Sequence, residues 1–358
     1  MIAPPCPYPC PDATPPGDLV LVTGANGYVG AVVARKLLLA GNRRVRCLVR
    51  SLPARRLAST VHGMPGAGPE VMAGNLLSRA DCERAVEGVS VIYHLAAGVE
   101  KSYAGCVLNS AVATRNLFDA AARQHSLARV VNVSTIAVYG NHGLGPGAVI
   151  DELCPLDDRL VERHEPYTYG KAMQEDVVRE YASRLGLPCV TLRPGVVFGP
   201  GKAKITERVG TATFGVFLHL GLANRIPLTY VDNCADAIVL AGLRPGLEGE
   251  VLNIVDDDLP TSSQFLRSYK QRVRGFFSLP VPYPLWRGFC RLWEKYSRWS
   301  EGQLPPVFNA RSCTVYWRGN NYSNKKAKSL LGWSPTVPME QALEKYFDYM
   351  IEMGSKPK

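Results

Sequence analysis

The sequence predicts an α/β fold, a doubly wound parallel sheet with helices on both faces. Two observations carry that expectation. An apolar run, Leu19 to Val22, leads into a glycine-rich turn, Thr23 to Gly30, and a helical pattern leaves it. Short apolar runs then alternate with helical stretches, the mark of parallel strands joined by crossover helices, which bind ligands at the strands' C-terminal ends. The 358 residues suffice for one large domain with an elaborated end or for two domains.

Within the turn, Gly24 permits a tight bend, Gly27 lets the backbone approach a pyrophosphate, and Gly30 lets the helix pack closely on the strand. The first helix, about Tyr28 to Ala40, presents unpaired N–H groups to an anion. Gly41 and Asn42 stop it, and Val45 to Val49 reads as the second strand. Arg50 follows, twenty residues after Gly30, where a dinucleotide-binding fold places the side chain that reads the adenosine ribose. An acid there would hold the hydroxyls of NAD, whereas arginine suits the 2′-phosphate of NADP. Arg50 with Ser51, and Arg55 nearby, therefore favours NADP as cofactor over NAD.

Glu70 to Met72 reads as the third strand, ending at Gly74-Asn75-Leu76, and Ser78 caps a short helix to Glu87. Val91 to His94 is the fourth strand. The small residues of Leu95-Ala96-Ala97-Gly98 behind it let a cofactor lie close to the backbone. A helix from about Tyr103 to Gln124 leads to the fifth strand, Arg129 to Ser134. His94 closes a buried strand and reads as a packed, hydrogen-bonded core residue. The other histidines show no ligand spacing, so no metal is expected.

Composition excludes several classes. The net charge is +10, but no basic block with interleaved aromatics marks a nucleic-acid binder. Part of the charge would serve anionic nucleotides. Ten cysteines are scattered, and Cys6 with Cys10 lacks a partnering pair, so buried thiols in a reducing, cytoplasmic setting are expected. Residues 1–17 read as a disordered proline-rich lead-in, neither signal peptide nor anchor. No run reaches the roughly 20 apolar residues of a membrane span. Phe276 to Trp299 mixes aromatics with Arg287, Arg291 and Lys295, and either touches a bilayer surface or caps a substrate pocket.

Two later stretches turn a nucleotide binder into an enzyme. Ser134-Thr135-Ile136-Ala137-Val138-Tyr139-Gly140 ends the fifth strand, and Pro166-Tyr167-Thr168-Tyr169-Gly170-Lys171-Ala172 opens a helix to about Leu185. Tyr167 and Lys171, four apart, share one helix face. A nearby ammonium favours the phenolate, so a lowered tyrosine pKa is expected and Tyr167 reads as the general acid/base. Thr135 would orient the substrate oxygen, and Lys171 would also hold the nicotinamide ribose.

With these motifs in this order, the sequence resembles the extended short-chain dehydrogenase/reductase superfamily, in its NAD(P)-dependent epimerase/dehydratase branch. Thr23-Gly24-Ala25-Asn26-Gly27-Tyr28-Val29-Gly30 matches the family's glycine turn, and Gly74-Asn75-Leu76 resembles its adenine-contacting Gly-Asp-Leu, with Asn for Asp. His94-Leu95-Ala96-Ala97 looks like its fourth-strand end. Thr135 matches the catalytic Ser/Thr, and Tyr167 with Lys171 the YxxxK pair. Leu192 to Gly201, with Pro194, Val196 and Val197, is similar to the segment that passes the nicotinamide. Tyr230 to Ala237 and Leu331-Gly332-Trp333-Ser334-Pro335 resemble two later signatures. The resemblance implies a Rossmann-type cofactor domain over 18–200, completed by later strands near Leu228 to Val231 and Val251 to Val255. It also implies a smaller C-terminal substrate-binding part from 201–227 and 256–350, a tail from 351, and homodimers formed through the fourth and fifth helices.

Nucleotide-sugar 4,6-dehydratases of this family carry Asp-Glu after the catalytic Thr. Here Ile136 and Ala137 occupy those positions and cannot move protons, which argues against dehydration. Three readings remain. A nucleotide-sugar epimerase or reductase, with Lys202, Lys204, Arg208 and Arg225 as candidates for a diphosphate, is favoured by family prevalence. The alternative is an NADPH-dependent reductase or dehydrogenase of an apolar alcohol or ketone, motivated by Arg50, the aromatic segment, and Phe214, Phe217 and Leu218. A non-catalytic dinucleotide sensor ranks last, because the tyrosine and lysine are both kept.

Overall fold

The computed structural model describes residues 18–355 apart from 42–43, 65, 67, 214, 302 and 305–306. The expectations for residues 1–17, with Cys6 and Cys10, and for Asn42 and Phe214 lie outside the described residues.

Strands β1 (Leu19–Thr23), β2 (Arg44–Val49), β3 (Glu70–Ala73), β4 (Val89–His94) and β5 (Arg129–Val133) alternate with helices α1 (Tyr28–Leu39), α2 (Arg55–Val61), α3 (Arg79–Val86), α4 (Tyr103–Val107) and α5 (Ala113–Ala121). A short β6 (Val149–Ile150) precedes α6 (Pro166–Leu185), and β7 (Cys189–Pro194) and β8 (Val196–Phe198) follow it. The chain continues through β9 (Gly210–Thr213), β10 (Val216–His219), β11 (Leu228–Tyr230), α7 (Val231–Leu243), β12 (Val251–Ile254) and α8 (Ser262–Arg272). It closes with β13 (Ser278–Pro280), α9 (Tyr283–Trp299), α10 (Ala310–Trp317), β14 (Asn321–Tyr322), α11 (Lys325–Leu331) and α12 (Met339–Ser355).

Seven strands form one sheet in the order β12-β7-β5-β4-β1-β2-β3, every pairing parallel. This is the expected doubly wound sheet, with its strand order reversing between β1 and β4, where such folds open a ligand crevice. Side chains alternate across β1. Val20 and Val22 pack with α1 and α7 on one face, while Leu19 and Leu21 pack with α3 and α5 on the other. Both faces are covered, which is why the strands read as continuous apolar runs.

Three details differ from expectation. The helix expected over 103–124 is interrupted by a π-helical turn at Leu108–Val112 and ends at Ala121. From the first turn of α5 the Thr114 hydroxyl donates to the Ser110 carbonyl of that π-helical turn. Leu228–Tyr230 does not join the large sheet; it pairs with β8 in a separate two-stranded ladder, while Val251–Ile254 does form the sheet edge. The helix α12 continues to Ser355, beyond the point where a tail was expected.

The two C-terminal signatures prove to be one contact. Asn233 on α7 accepts from the Val337 amide and donates to the Val337 carbonyl and to Asp256, and its own carbonyl accepts from the Trp333 indole. Trp333 is buried against the sheet's helices. These residues fasten the end of the chain to the sheet.

Helix α6 is fastened by charge. Arg193 on β7 makes a bidentate pair with Glu175, at 3.0 and 2.6 Å, and both are buried. The Arg193 guanidinium lies 4.6 Å from the centre of the Tyr139 ring, whose hydroxyl donates to Asn253 at 2.7 Å. Removing one partner leaves the other charge buried and unpaired. Arg193→Ala is therefore expected to cost about 3–5 kcal/mol, read by urea denaturation, whereas exposed Arg184→Ala on the same helix should cost under about 1 kcal/mol.

Candidate active site

At the C-terminal ends of β1, β2, β4 and β5 lies a cleft of about 1090 Å³. The glycine turn forms its floor. Gly24 has φ +69°, and a Cβ there would lie 2.9 Å from the Ala96 amide nitrogen, so β1's turn and β4's end approach backbone to backbone. A Cβ on Gly30 would lie 2.2 Å from the Gly24 carbonyl oxygen, so α1 has no room for a side chain against the turn. Helix α1 begins at Gly27 with no side-chain cap, leaving N–H groups for an anion. Asn26 accepts from the Leu57 amide and thereby ties the turn to α2.

The residues expected at the glycine turn, the strand ends and the catalytic positions reach this cleft: Gly24, Asn26, Gly27, Tyr28, Val29, Gly30, Arg50, Ser51, Asn75, Leu76, Leu95, Ala96, Ala97, Thr135, Tyr167, Lys171, Pro194, Val196 and Val197. Arg50 and Ser51 stand exposed at the mouth, and Arg50 has no carboxylate partner among the described residues. Asn75 uses its side-chain oxygen locally, accepting from the Leu77 amide, which Asp would do equally well. The shape and donors of the floor fit a dinucleotide: a backbone cradle that any Cβ would fill, beside an open helix N-terminus.

The other end of the cleft is set by β5 and α6. Thr135 caps a 3-10 turn, Ile136–Val138, its hydroxyl oxygen accepting from the Ala137 amide at 3.2 Å. That bond leaves the hydroxyl proton to be donated elsewhere. Tyr167 sits in the first turn of α6, which Pro166 opens. It keeps 39 % of its surface exposed along the cleft, yet the dry surroundings of its hydroxyl, with Cys106 beside it, push the phenol up to about 12.

The expected lowering of the Tyr167 pKa by Lys171 is thus reversed, for a structural reason. Lys171 turns its ammonium toward the sheet, donating to the Val133 carbonyl at 2.6 Å and to Gln174 at 2.7 Å. Burial pushes Lys171 down to about 7, with Glu175 opposing the fall. His94 behaves as the expected core residue. It is hydrogen-bonded to Thr23, Thr114 and Gln174, and burial with the Lys171 charge drives it down to about 3, so it stays neutral.

Gln174 was missed by sequence reasoning, although its spacing of three from Lys171 put it on the same helix face. Its amide also donates to the Ala96 carbonyl, linking Lys171 to the glycine turn's neighbour. Ser134 was passed over as well. It lines the cleft, and its buried hydroxyl has no partner among the described residues.

The candidate diphosphate cations divide. Lys202 and Lys204 line the cleft, Lys202 donating to the Val197 carbonyl. Arg208 also lines it, but is buried, bonded to the Val315 carbonyl and the Tyr322 hydroxyl, with the Tyr316 ring 4.3 Å from its guanidinium. Arg225 binds the Leu259 carbonyl and does not reach the cleft.

The model of the NAD dependent epimerase/dehydratase family matches residues 20–254. A 2-alkyl-3-oxoalkanoate reductase of Stenotrophomonas maltophilia is 28 % identical over 344 residues, 91 % of this chain and 97 % of that protein. A 3 beta-hydroxysteroid dehydrogenase/Delta 5-->4-isomerase of Mycobacterium tuberculosis is 26 % identical over 365 residues, 95 % of this chain and 92 % of that protein. Among solved structures, a UDP-glucuronic acid 4-epimerase from Bacillus cereus aligns with TM-score 0.69 at 21 % identity, covering 94 % of this chain and 99 % of its own. At that identity the likeness concerns the fold.

Two outcomes follow from this geometry. Gly24→Ala strains the backbone and drives a methyl into Ala96, so dinucleotide binding, followed by fluorescence titration, should weaken at least about tenfold. For Lys171, the folded value near 7 lies below the free value of about 10.4. Between these the unfolded chain binds the extra proton, so this group's contribution to stability rises with pH and is least favourable below pH 7. The parent should therefore gain stability relative to Lys171→Met as the pH rises from about 7 to about 10, followed by denaturation at several pH values.

Proposed function

The chain belongs to the NAD dependent epimerase/dehydratase family, and on that premise we propose that it is an NADPH-preferring oxidoreductase interconverting a ketone and a secondary alcohol on an apolar substrate. One observation carries the reading. The glycine turn, the Thr135 turn and the Tyr167 end of α6 open onto a single cleft whose remaining wall includes Phe198, Ile205, Leu228, Phe265, Tyr316 and Tyr346. The two full-length relatives, whose names carry an oxoalkanoate and a hydroxysteroid, support the same substrate class.

The Gly24 to Gly30 turn, with Arg50 and Ser51 at the adenosine end, would hold the dinucleotide, which would supply or take up hydride when bound. The chain supplies the proton and the alignment. Tyr167, with its phenol at about 12, is protonated at neutral pH and gives its proton to a carbonyl oxygen in the reducing direction. Thr135 donates its free hydroxyl proton to the same oxygen and fixes its position. Lys171 is held near the reacting end by the Val133 carbonyl and Gln174, and with its pKa lowered by burial to about 7 it carries its full charge only below neutral pH. Ile136 and Ala137 line the cleft without acid or base character, which supports simple redox chemistry over dehydration.

A nucleotide-sugar substrate is the second reading, favoured by Lys202 and Lys204 at the cleft. It ranks lower because Arg208 is engaged internally and Arg225 points elsewhere. We also assign the substrate part to 201–227 and 256–350, the location to the cytoplasm, and the homodimer contact to the face bearing exposed Leu108 and Val112.

Purified enzyme should oxidise NADPH in the presence of a 2-alkyl-3-oxoalkanoate or a 3-ketosteroid and show little response to UDP-sugars. Tyr167→Phe should lower kcat by about 10²–10⁴ with NADPH affinity unchanged; unaltered turnover would sink the catalytic assignment. Arg50→Asp should weaken NADPH binding by about tenfold or more and leave NADH binding intact, measured by calorimetry.

A further inference from the structure

Helix α9 has three faces, and the fold accounts for one. Trp286, Cys290 and Ser297 are buried, and Trp286 and Cys290 pack with Cys313, Phe308 and Trp317 in the cluster shared with α10. At about 100° per residue, Leu285, Phe289, Leu292, Tyr296 and Trp299 fall on a second face. Leu285, Leu292 and Trp299 are 68 %, 69 % and 75 % exposed. Just before the helix, Phe277, directly ahead of the edge strand β13, and Leu279 on that strand are exposed as well. Beside the stripe, Leu285 and Phe289 help wall a groove of about 290 Å³ with Leu218, Val281 and Phe308.

The third face is basic: Arg287, Arg291, Lys295 and Arg298. None of these pairs with a carboxylate among the described residues. The acid of the same helix, Glu294, is occupied by the Ala310 amide at 2.8 Å. An apolar stripe edged by uncompensated cations is the pattern of a helix lying in the plane of a membrane surface. No helix among the described residues is long and apolar enough to cross a membrane.

We propose that α9 docks the protein on a bilayer surface carrying anionic lipid. Leu285, Phe289, Leu292, Tyr296 and Trp299 enter the acyl boundary, and Arg291, Lys295 and Arg298 meet the headgroups. A second copy of the chain is the poorer occupant. A two-fold contact through this face sets one basic band beside the same band of its mate, with no carboxylate there to separate them. The docked helix is one step from the cleft. It packs on α10, where Tyr316 lines the cleft and the Trp317 indole donates to the Arg208 carbonyl. The inference stands apart from the substrate reading, because it concerns a surface outside the cleft.

The test is flotation of the full chain with vesicles of phosphatidylcholine alone and of phosphatidylcholine mixed with phosphatidylglycerol. The protein should float with the mixed vesicles, stay behind with the neutral ones, and be released as salt rises. Arg291→Glu with Lys295→Glu should lower the partition at least about twenty-five-fold. Leu292→Glu with Trp299→Glu should abolish it, and these exposed sites leave the circular dichroism spectrum unchanged. Failure to float with either vesicle, or equal flotation with both, overturns the proposal. So does a concentration-dependent dimer in sedimentation that the Leu292 and Trp299 substitutions dissolve without any flotation of the parent, which would give the face to a second copy.

Discussion

The site depends on one close approach, the backbone of the Gly24 turn against the backbone of Ala96 and the start of α1. Cβ atoms at Gly24 and Gly30 would meet neighbouring backbone at 2.9 and 2.2 Å, distances at which something must shift. This contact fixes where α1 begins and aims its open N-terminus into the cleft. It also sets β4's end, Leu95 to Ala97, as the opposite wall. Strand order adds the rest, because the crevice between β1 and β4 is where a doubly wound sheet parts.

Helix α6, which bears Tyr167 and Lys171, is held in place by buried charge. Glu175 is locked to Arg193, Arg193 lies over the Tyr139 ring, and Tyr139 ends the turn that Thr135 begins. At the start of α6, Glu165 accepts from Thr168, Ser312 and Arg163, and Arg163 also donates to the Ala137 carbonyl. The Thr135 turn and the Tyr167 turn are thus cross-linked from both ends of the motif. Such a frame is costly to desolvate and sensitive to loss of either partner. Its return is a tyrosine and a threonine held in one place along the cleft.

Much of this was legible in the chain. The alternation of strands and helices, the glycine turn, the Ser78 cap and the span of α6 follow from local pattern, because each is decided by neighbours within a few residues. What escaped was decided across the fold. Leu228–Tyr230 looks like any sheet strand, and only the bend after β7, where the Val196 amide binds the Pro227 carbonyl, diverts it to β8. The spacing of Tyr167 and Lys171 places them on one helix face, but the Val133 carbonyl and Gln174 capture the ammonium, and burial raises the tyrosine pKa instead of lowering it. Arg208 and Arg225 read as free cations until Val315 and Leu259, far along the chain, supply their acceptors. The aromatic segment could not be divided into core and surface until α10 was seen covering one side of α9.

A crystal structure of the protein with NADP bound tests the central claim most directly. The account predicts the pyrophosphate on the Gly24 to Gly30 turn, the 2′-phosphate beside Arg50, and the nicotinamide ring between Thr135 and Tyr167. A nicotinamide remote from Tyr167, or a dinucleotide bound outside this cleft, would contradict it.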